Sequence, residues 1–240
     1  MEKKRSYPEV KMEIEKIATI HTDFPDKFGV PRQSQVAVSL QGRIVMEKDY
    51  AGADYFRGIE NWSHLWLIWG FSRNEGQWKA TARPPRLGGN RRVGVFACRT
   101  PFRPNNLGLS LVKLERAVQE ETGTVLYVSG IDMVDGTPVY DIKPYLPQLD
   151  FAEEAVSSMI EDNEWTELKV NADLSLLERI PEEKREGLLQ VLSQDPRPQY
   201  HDDPDRVYGF IFAEKEIKFK VEENTLILVD ITDRISEREQ

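Results

Sequence analysis

The sequence is short of the residues that carry redox and metal chemistry. One cysteine, Cys98, and three histidines, His21, His64 and His201, stand in 240 residues. A lone thiol cannot build an internal disulfide framework and suits a reducing compartment. The histidines are widely separated and lack acids or thiols at ligand spacing, so no metal is expected. Long hydrophobic runs are missing too. The most apolar stretch, residues 65–71, is far too short to span a bilayer. No apolar segment of the secretory kind follows the opening Met-Glu-Lys-Lys-Arg-Ser-Tyr-Pro. The expectation is a soluble, cytoplasmic protein with no membrane contact. Also absent are the Gly-x-x-x-x-Gly-Lys-Ser/Thr phosphate loop, the Gly-x-Gly-x-x-Gly dinucleotide turn and the Gly-x-Ser-x-Gly nucleophile elbow.

Acidic residues vanish from one window. Between Glu75 and Glu115 there are none, while eight basic residues stand there: Lys79, Arg83, Arg86, Arg91, Arg92, Arg99, Arg103 and Lys113. The whole chain has a formal charge of −9, so everything outside the window is more negative still. A polyanion would be repelled over most of the surface and drawn to one place. The arginines alternate with turn formers in Arg-Pro-Pro-Arg-Leu-Gly-Gly-Asn-Arg-Arg (83–92) and Arg-Thr-Pro-Phe-Arg-Pro-Asn-Asn-Leu-Gly (99–108). Turns can present guanidinium forks to phosphate or carboxylate oxygens two at a time. A solvated hairpin with scattered arginines reads equally well on charge alone.

What is present describes a folded globule. The apolar share is 40%, with 10 Phe, 8 Tyr and 5 Trp, enough for one ordinary domain and a smaller one. Residues 36–40 and 43–47 read as short strands joined by a turn at Gln41-Gly42. Residues 64–71 read as a strand buried on both faces, and 92–97, 110–114 and 124–129 as further strands. Residues 54–61 read as a short helix or a turn. Short strands separated by glycine and proline predict a closed or nearly closed barrel. Composition turns acidic around residues 150–165, read as a boundary. Beyond it come a strand at 166–170, a helix opened by Pro181-Glu-Glu and a meander over 206–212, 216–221 and 225–231. The fold class is mostly β: a non-Rossmann β-barrel over 1–155, then a small α+β domain over 163–240.

Six segments are too rich in turn formers and polar groups to be simple core. They are Val30-Pro-Arg-Gln-Ser-Gln, Gly58-Ile-Glu-Asn-Trp-Ser-His-Leu-Trp, Arg83-Pro-Pro-Arg-Leu-Gly-Gly-Asn, residues 94–108, residues 130–138 and residues 140–147. In order and spacing they closely resemble the TrmO (TsaA/YaeB-like) family of S-adenosylmethionine-dependent tRNA methyltransferases. The resemblance runs from about residue 14 to 150 and continues through Asp195-Pro-Arg-Pro-Gln-Tyr. It implies a barrel that binds S-adenosylmethionine and methylates N6 of threonylcarbamoyl-adenosine at tRNA position 37, next to the anticodon. It also implies a homodimer. Carried onto this chain, the cofactor site comprises Gln33, Ser34, Gln35, Phe71, Ser72, Arg99, Leu109, Ser129, Gly130, Ile131 and Asp132. Two departures stand out. Many members have Pro-Gly where this chain has Ser34-Gln35, and several have proline in place of Asn106.

The chemistry of such a site gives roles to particular residues. S-adenosylmethionine offers a flat adenine, a diol, a carboxylate-bearing tail and a sulfonium. Phe71 can supply an apolar wall, Asp132 a carboxylate and Arg99 a cation. The cofactor carries no phosphate, so the basic window suits RNA instead. Arg83, Arg86, Arg91, Arg92 and Arg103 are candidates there, with Tyr145, Arg197 and Tyr200 as further substrate contacts. Asp195-Pro-Arg-Pro could equally just end a helix. Loss of the N6 proton must accompany methyl transfer, and Asp132 and Asp135 are the candidate acceptors, although Asp-Gly at 135–136 is also an ordinary turn. The alternative function is a non-catalytic RNA-binding module that uses the arginine-rich hairpin.

Overall fold

The computed structural model describes residues 12–74, 78–84, 92–156, 167–197 and 203–234. Eight strands come first: β1 (Ala18–Thr22), β2 (Gln41–Met46), β3 (His64–Gly70), β4 (Thr81–Ala82), β5 (Val93–Gly94), β6 (Leu107–Glu120), β7 (Gly123–Ser129) and β8 (Thr137–Pro144). Six of them close a barrel in the order β1-β2-β7-β6-β3-β8, every neighbouring pair antiparallel. Closure follows from period-two patterning. Ile20, Ile44, Leu65, Leu67, Val112, Leu126 and Val139 all point inward and are essentially fully buried. The short β4–β5 ribbon stands apart from the barrel.

Several local expectations are corrected. Residues 36–40 form turns, not a strand, and Gln41-Gly42 opens β2 instead of joining two strands. Ala37 and Leu40 anchor this segment in the core, while the Ser39 amide donates to Gln190 Oε1. Those anchors substitute for a ladder. Strand β3 is not buried on both faces: Leu65, Leu67 and Trp69 are buried, and His64, Trp66 and Ile68 are only partly covered. An antiparallel barrel without a helical outer layer leaves its outer face open. Residues 54–61, by contrast, form short helical turns as expected, Ala53–Phe56 and Ile59–Asn61, both 3₁₀. Residues 92–97 give only the two-residue β5 and a 3₁₀ turn, Val95–Ala97. Strands β1 and β8 have no counterpart in the sequence reading.

After the short helix α1 (Pro147–Asp150), a second unit contains β9 (Lys169–Asn171), α2 (Leu174–Leu177), α3 (Glu182–Ser193) and the strands β10 (Tyr208–Phe212), β11 (Lys215–Glu222) and β12 (Thr225–Asp233). The meander β10-β11-β12 forms as expected, and β9 joins it in parallel along β12. Helix α3 starts after Pro181 with Glu182 and Glu183 in its first turn, where carboxylates meet the positive end of the helix dipole. Its buried face is Gly187, Leu188, Val191 and Leu192.

This unit packs directly on the barrel. Helix α3 lies against the 36–40 segment, because Gly187 leaves room for Leu40. Lys184 Nζ reaches Asp23 Oδ1 at 2.6 Å, and the Ala213 amide donates to the Asp23 carbonyl. Gly29, at φ +90°, lets the ring of Phe210 lie where a Cβ would stand. Phe24 and Phe212 then meet with tilted rings across the seam, centroids 5.2 Å apart. The two units therefore share one hydrophobic core.

Candidate active site

The turn at Gln33–Gln35 is held from two sides. The Gln35 amide donates to the Gly130 carbonyl, and the Gln35 side chain donates to the Leu111 carbonyl at 3.1 Å. The Leu111 amide donates to Ser34 Oγ at 3.2 Å. Gln35 adopts φ +65°. A Pro-Gly pair would suit such a turn, the glycine supplying positive φ. Ser34-Gln35 keeps the positive φ and replaces the pre-set backbone with side-chain bonds to β6. Asn106 likewise takes φ +48°, which proline cannot adopt.

Directly across lies the segment that follows β7. Gly130, at φ +76°, turns the chain so tightly that a Cβ would meet Gln35 Nε2 at 2.4 Å. Asp132 then points its carboxylate back at β6, where Ser110 Oγ lies 2.6 Å from Oδ1. Ser110 is itself bonded by Trp69 Nε1 at 2.9 Å. An indole N–H only donates, so the Ser110 oxygen accepts there and its proton goes to Asp132. Withdrawal from water pushes the Asp132 pKa up to about 6; the Ser110 hydroxyl, the Ser34 backbone and the Arg99 charge oppose the rise. Arg99 in turn donates to Gln33 Oε1. Phe71 completes the group, with its ring centroid 4.3 Å from that of Trp69 and its amide bonded to the Asn106 carbonyl.

Gln33, Ser34, Gln35, Phe71, Arg99, Gly130 and Asp132 are therefore linked by contact around one end of the barrel. Leu109 stands beside Ser110, 60% exposed, and Ser72 follows Phe71 at the surface. Ser129 and Ile131 are buried. Ser129 donates to Glu115 at 2.6 Å and holds that carboxyl below its usual range. These two residues flank Gly130 in the chain.

The other candidates make different contacts. Asp135 Oδ1 faces His21 Nδ1 at 3.1 Å and accepts from the Thr22 amide at 3.0 Å, so it anchors the turn into β8. Tyr145 packs on His64 and Trp66 at the other end of β3 from Phe71. Arg103 donates to the carbonyls of Val95 and Cys98, bracing the arm that carries Arg99. Arg83 and Arg92 are exposed beside the β4–β5 ribbon. Arg197 makes a two-pronged pair with Asp195. Arg86, Arg91 and Tyr200 fall outside the described residues.

Sequence reasoning missed Ser110 and Trp69. Their signal was a polar residue at an inward position of β6, between Leu109 and Leu111. Among the described residues no cluster of His, Cys, Asp or Glu is arranged to hold a metal. No helix among them is long and apolar enough to cross a membrane.

Comparison with known proteins extends this geometry. Residues 19–151 match the tRNA-methyltransferase O N-terminal domain, and residues 149–234 match the TrmO C-terminal domain. The chain is 38% identical to the tRNA (adenine(37)-N6)-methyltransferase of Escherichia coli K12, covering 87% of this chain and 93% of that one. It is 42% identical to the protein of the same name from Eikenella corrodens, covering 70% and 96%. A crystal structure of TrmO from Pseudomonas aeruginosa superposes with a TM-score of 0.75 at 28% identity, over 93% of this chain and 100% of that one.

Proposed function

The chain belongs to the tRNA-methyltransferase O family, and from that premise we propose that it moves the methyl group of S-adenosylmethionine onto N6 of threonylcarbamoyl-adenosine at position 37 of tRNA. The observation that carries the reading is the hydrogen-bonded convergence of the Gln33–Gln35 turn, Gly130, Asp132 and Arg99 at one barrel end. The donor set fits the cofactor. The ring of Phe71 offers an apolar wall and Arg99 a cation for the tail carboxylate. When bound, S-adenosylmethionine supplies an electrophilic methyl carbon on a sulfonium.

Asp132 is the proton acceptor in this reading. The N6 nitrogen is urea-like, so its lone pair becomes available as its proton departs. A carboxylate with a pKa of about 6 is ionised at neutral pH and still basic enough to take that proton. Ser110 bonds Oδ1, and the backbone of Ser34 also bonds the carboxylate, which fixes its orientation. Alignment of the reacting atoms supplies most of the remaining acceleration. Asp135 keeps its anchoring role.

The exposed Arg83 and Arg92, in the acid-free window, draw the anticodon loop of tRNA toward this end. The protein works in the cytoplasm as a homodimer. Support for pairing comes from apolar side chains left open to water, Leu109 at 60% and Phe96 at 81% exposure. The test is mass spectrometry of anticodon-loop nucleosides after incubating threonylcarbamoylated tRNA with protein and S-adenosylmethionine. One added methyl group on the modified adenosine is expected. A tRNA that stays unmethylated with active cofactor present overturns the reading.

A further inference from the structure

A hollow opens where the barrel meets the C-terminal unit. It is a cavity of about 260 Å³ walled by the 27–32 segment and Val36 on one side and by Val191, Asp195 and Arg197 on the other. Two cations of the barrel face it. Lys27 is held by the Arg73 carbonyl and Asn74 Oδ1. Arg32 donates to the Arg197 carbonyl at 3.3 Å. All of these acceptors are neutral, and among the described residues neither cation forms an ion pair within 4.0 Å. Asp195, the acid in the lining, is engaged in the two-pronged pair with Arg197. Although Arg32 as a residue remains exposed, burial of its guanidinium lowers its pKa, with Asp195 acting weakly the other way. A cation drawn from water without a carboxylate partner is costly unless an anion completes it.

The position of the hollow narrows the anion. Arg32 immediately precedes Gln33, whose side chain meets Arg99 beside Asp132. Consecutive Cα atoms are only about 3.8 Å apart, so the hollow and the methyl-transfer site share the 31–35 segment as a wall. The rest of the lining is mixed: Phe28, Val30, Pro31, Val36, Val191 and Pro196 are apolar, beside Gln194, Asp195 and Arg197. Such a wall suits a small group with both carbon and charge, and suits a bare, strongly hydrated phosphate less. Resting on the function proposed above, we infer that Lys27 and Arg32 form an oxyanion subsite that takes the carboxylate of the amino-acid substituent on the target base. The subsite would read the modification itself, and the seam between the two units would then be the element that selects modified tRNA from unmodified tRNA. A pocket built to pair a charged group discriminates strongly against a substrate that lacks it.

The test uses the full-length protein, two versions of one tRNA (threonylcarbamoylated and unmodified at position 37) and the variants Arg32→Gln, Arg32→Lys and Lys27→Met. Arg32→Gln is expected to weaken binding of the modified tRNA by at least about tenfold, the scale of one charge-assisted hydrogen bond. Binding of the unmodified tRNA and of S-adenosylmethionine should stay within about twofold, and Arg32→Lys should restore part of the loss. Lys27→Met should act in the same direction. Equal losses on both tRNAs, with a shallower salt dependence, would place a backbone phosphate in the hollow and overturn the carboxylate assignment. No loss on either tRNA would overturn the subsite altogether. Wild-type methylation of the modified tRNA is measured alongside: if it fails, the proposed reaction is wrong, whereas intact methylation with unaffected variants removes only the subsite.

Discussion

Replacing Asp132 by asparagine should make the protein more stable and less active, and the stability gain should depend on pH in a fixed direction. In the folded state the carboxyl titrates near 6, against 3.8 for an unperturbed aspartate, because it is withdrawn from water. The native protein therefore binds this proton more tightly than the unfolded chain does. The associated stabilisation is complete below pH 3.8 and is lost as pH rises through about 6. At 1.36 kcal/mol per pKa unit, the ionised carboxylate costs about 3 kcal/mol at neutral pH. Asparagine keeps an oxygen acceptor for the Ser110 hydroxyl and carries no charge. In denaturant titrations the Asp132→Asn minus wild-type difference should grow by up to about 3 kcal/mol between roughly pH 4 and pH 7. Any fixed offset from packing the amide cancels in that slope. Methylation by the variant should fall by about 10²-fold or more, the scale of losing a general base. A stability difference that stays flat with pH would refute the claim that this carboxylate is desolvated, whatever the activity does.

Ser110→Ala removes a hydrogen bond that holds the Asp132 pKa down, so the midpoint of the kcat/KM profile should move above its wild-type position; an unmoved midpoint would separate Ser110 from the chemistry. Gly29→Ala places a Cβ 2.4 Å from the ring of Phe210 at φ +90°, and should cost about 3 kcal/mol or more by parting the two units. A variant with an unchanged denaturation midpoint would show that the seam yields freely. Arg92→Glu should weaken tRNA binding and reduce the salt slope by about one unit or more while leaving cofactor affinity intact; an unchanged slope would take Arg92 out of the RNA path.

The site was legible in the sequence to different degrees. The 30–35, 94–108 and 130–138 segments stand out because turn formers and polar groups replace the period-two pattern, and these are the stretches that meet at the barrel end. Ser34-Gln35 looked like a departure that could change the turn, yet Gln35 holds φ +65° and borrows Leu111 as a partner. Ser110 went unnoticed because a serine in a strand reads as an ordinary polar position. Its importance lies in what stands across from it. Residues 36–40 misled for the opposite reason: β-prone side chains sat in a turn whose backbone is satisfied by Gln190, some 150 residues away.

By itself the sequence determined the chemistry on offer. Alternating apolar residues demanded a closed sheet, the proline-led helix and the meander announced a second unit, and the acid-free window set one electrostatic pole. Those are local or additive properties, readable from spacing and composition. Only the tertiary structure decided which polar residues share a space. Closing the barrel brings β6, β7 and the 31–35 turn together, and that proximity turns an unremarkable Asp132 into a carboxylate titrating near 6. It puts Tyr145 at the far end of β3 from Phe71 and leaves Lys27 and Arg32 lining a hollow with no ion pair within 4.0 Å among the described residues. Burial and juxtaposition arise from long-range contacts, and no window of sequence contains them.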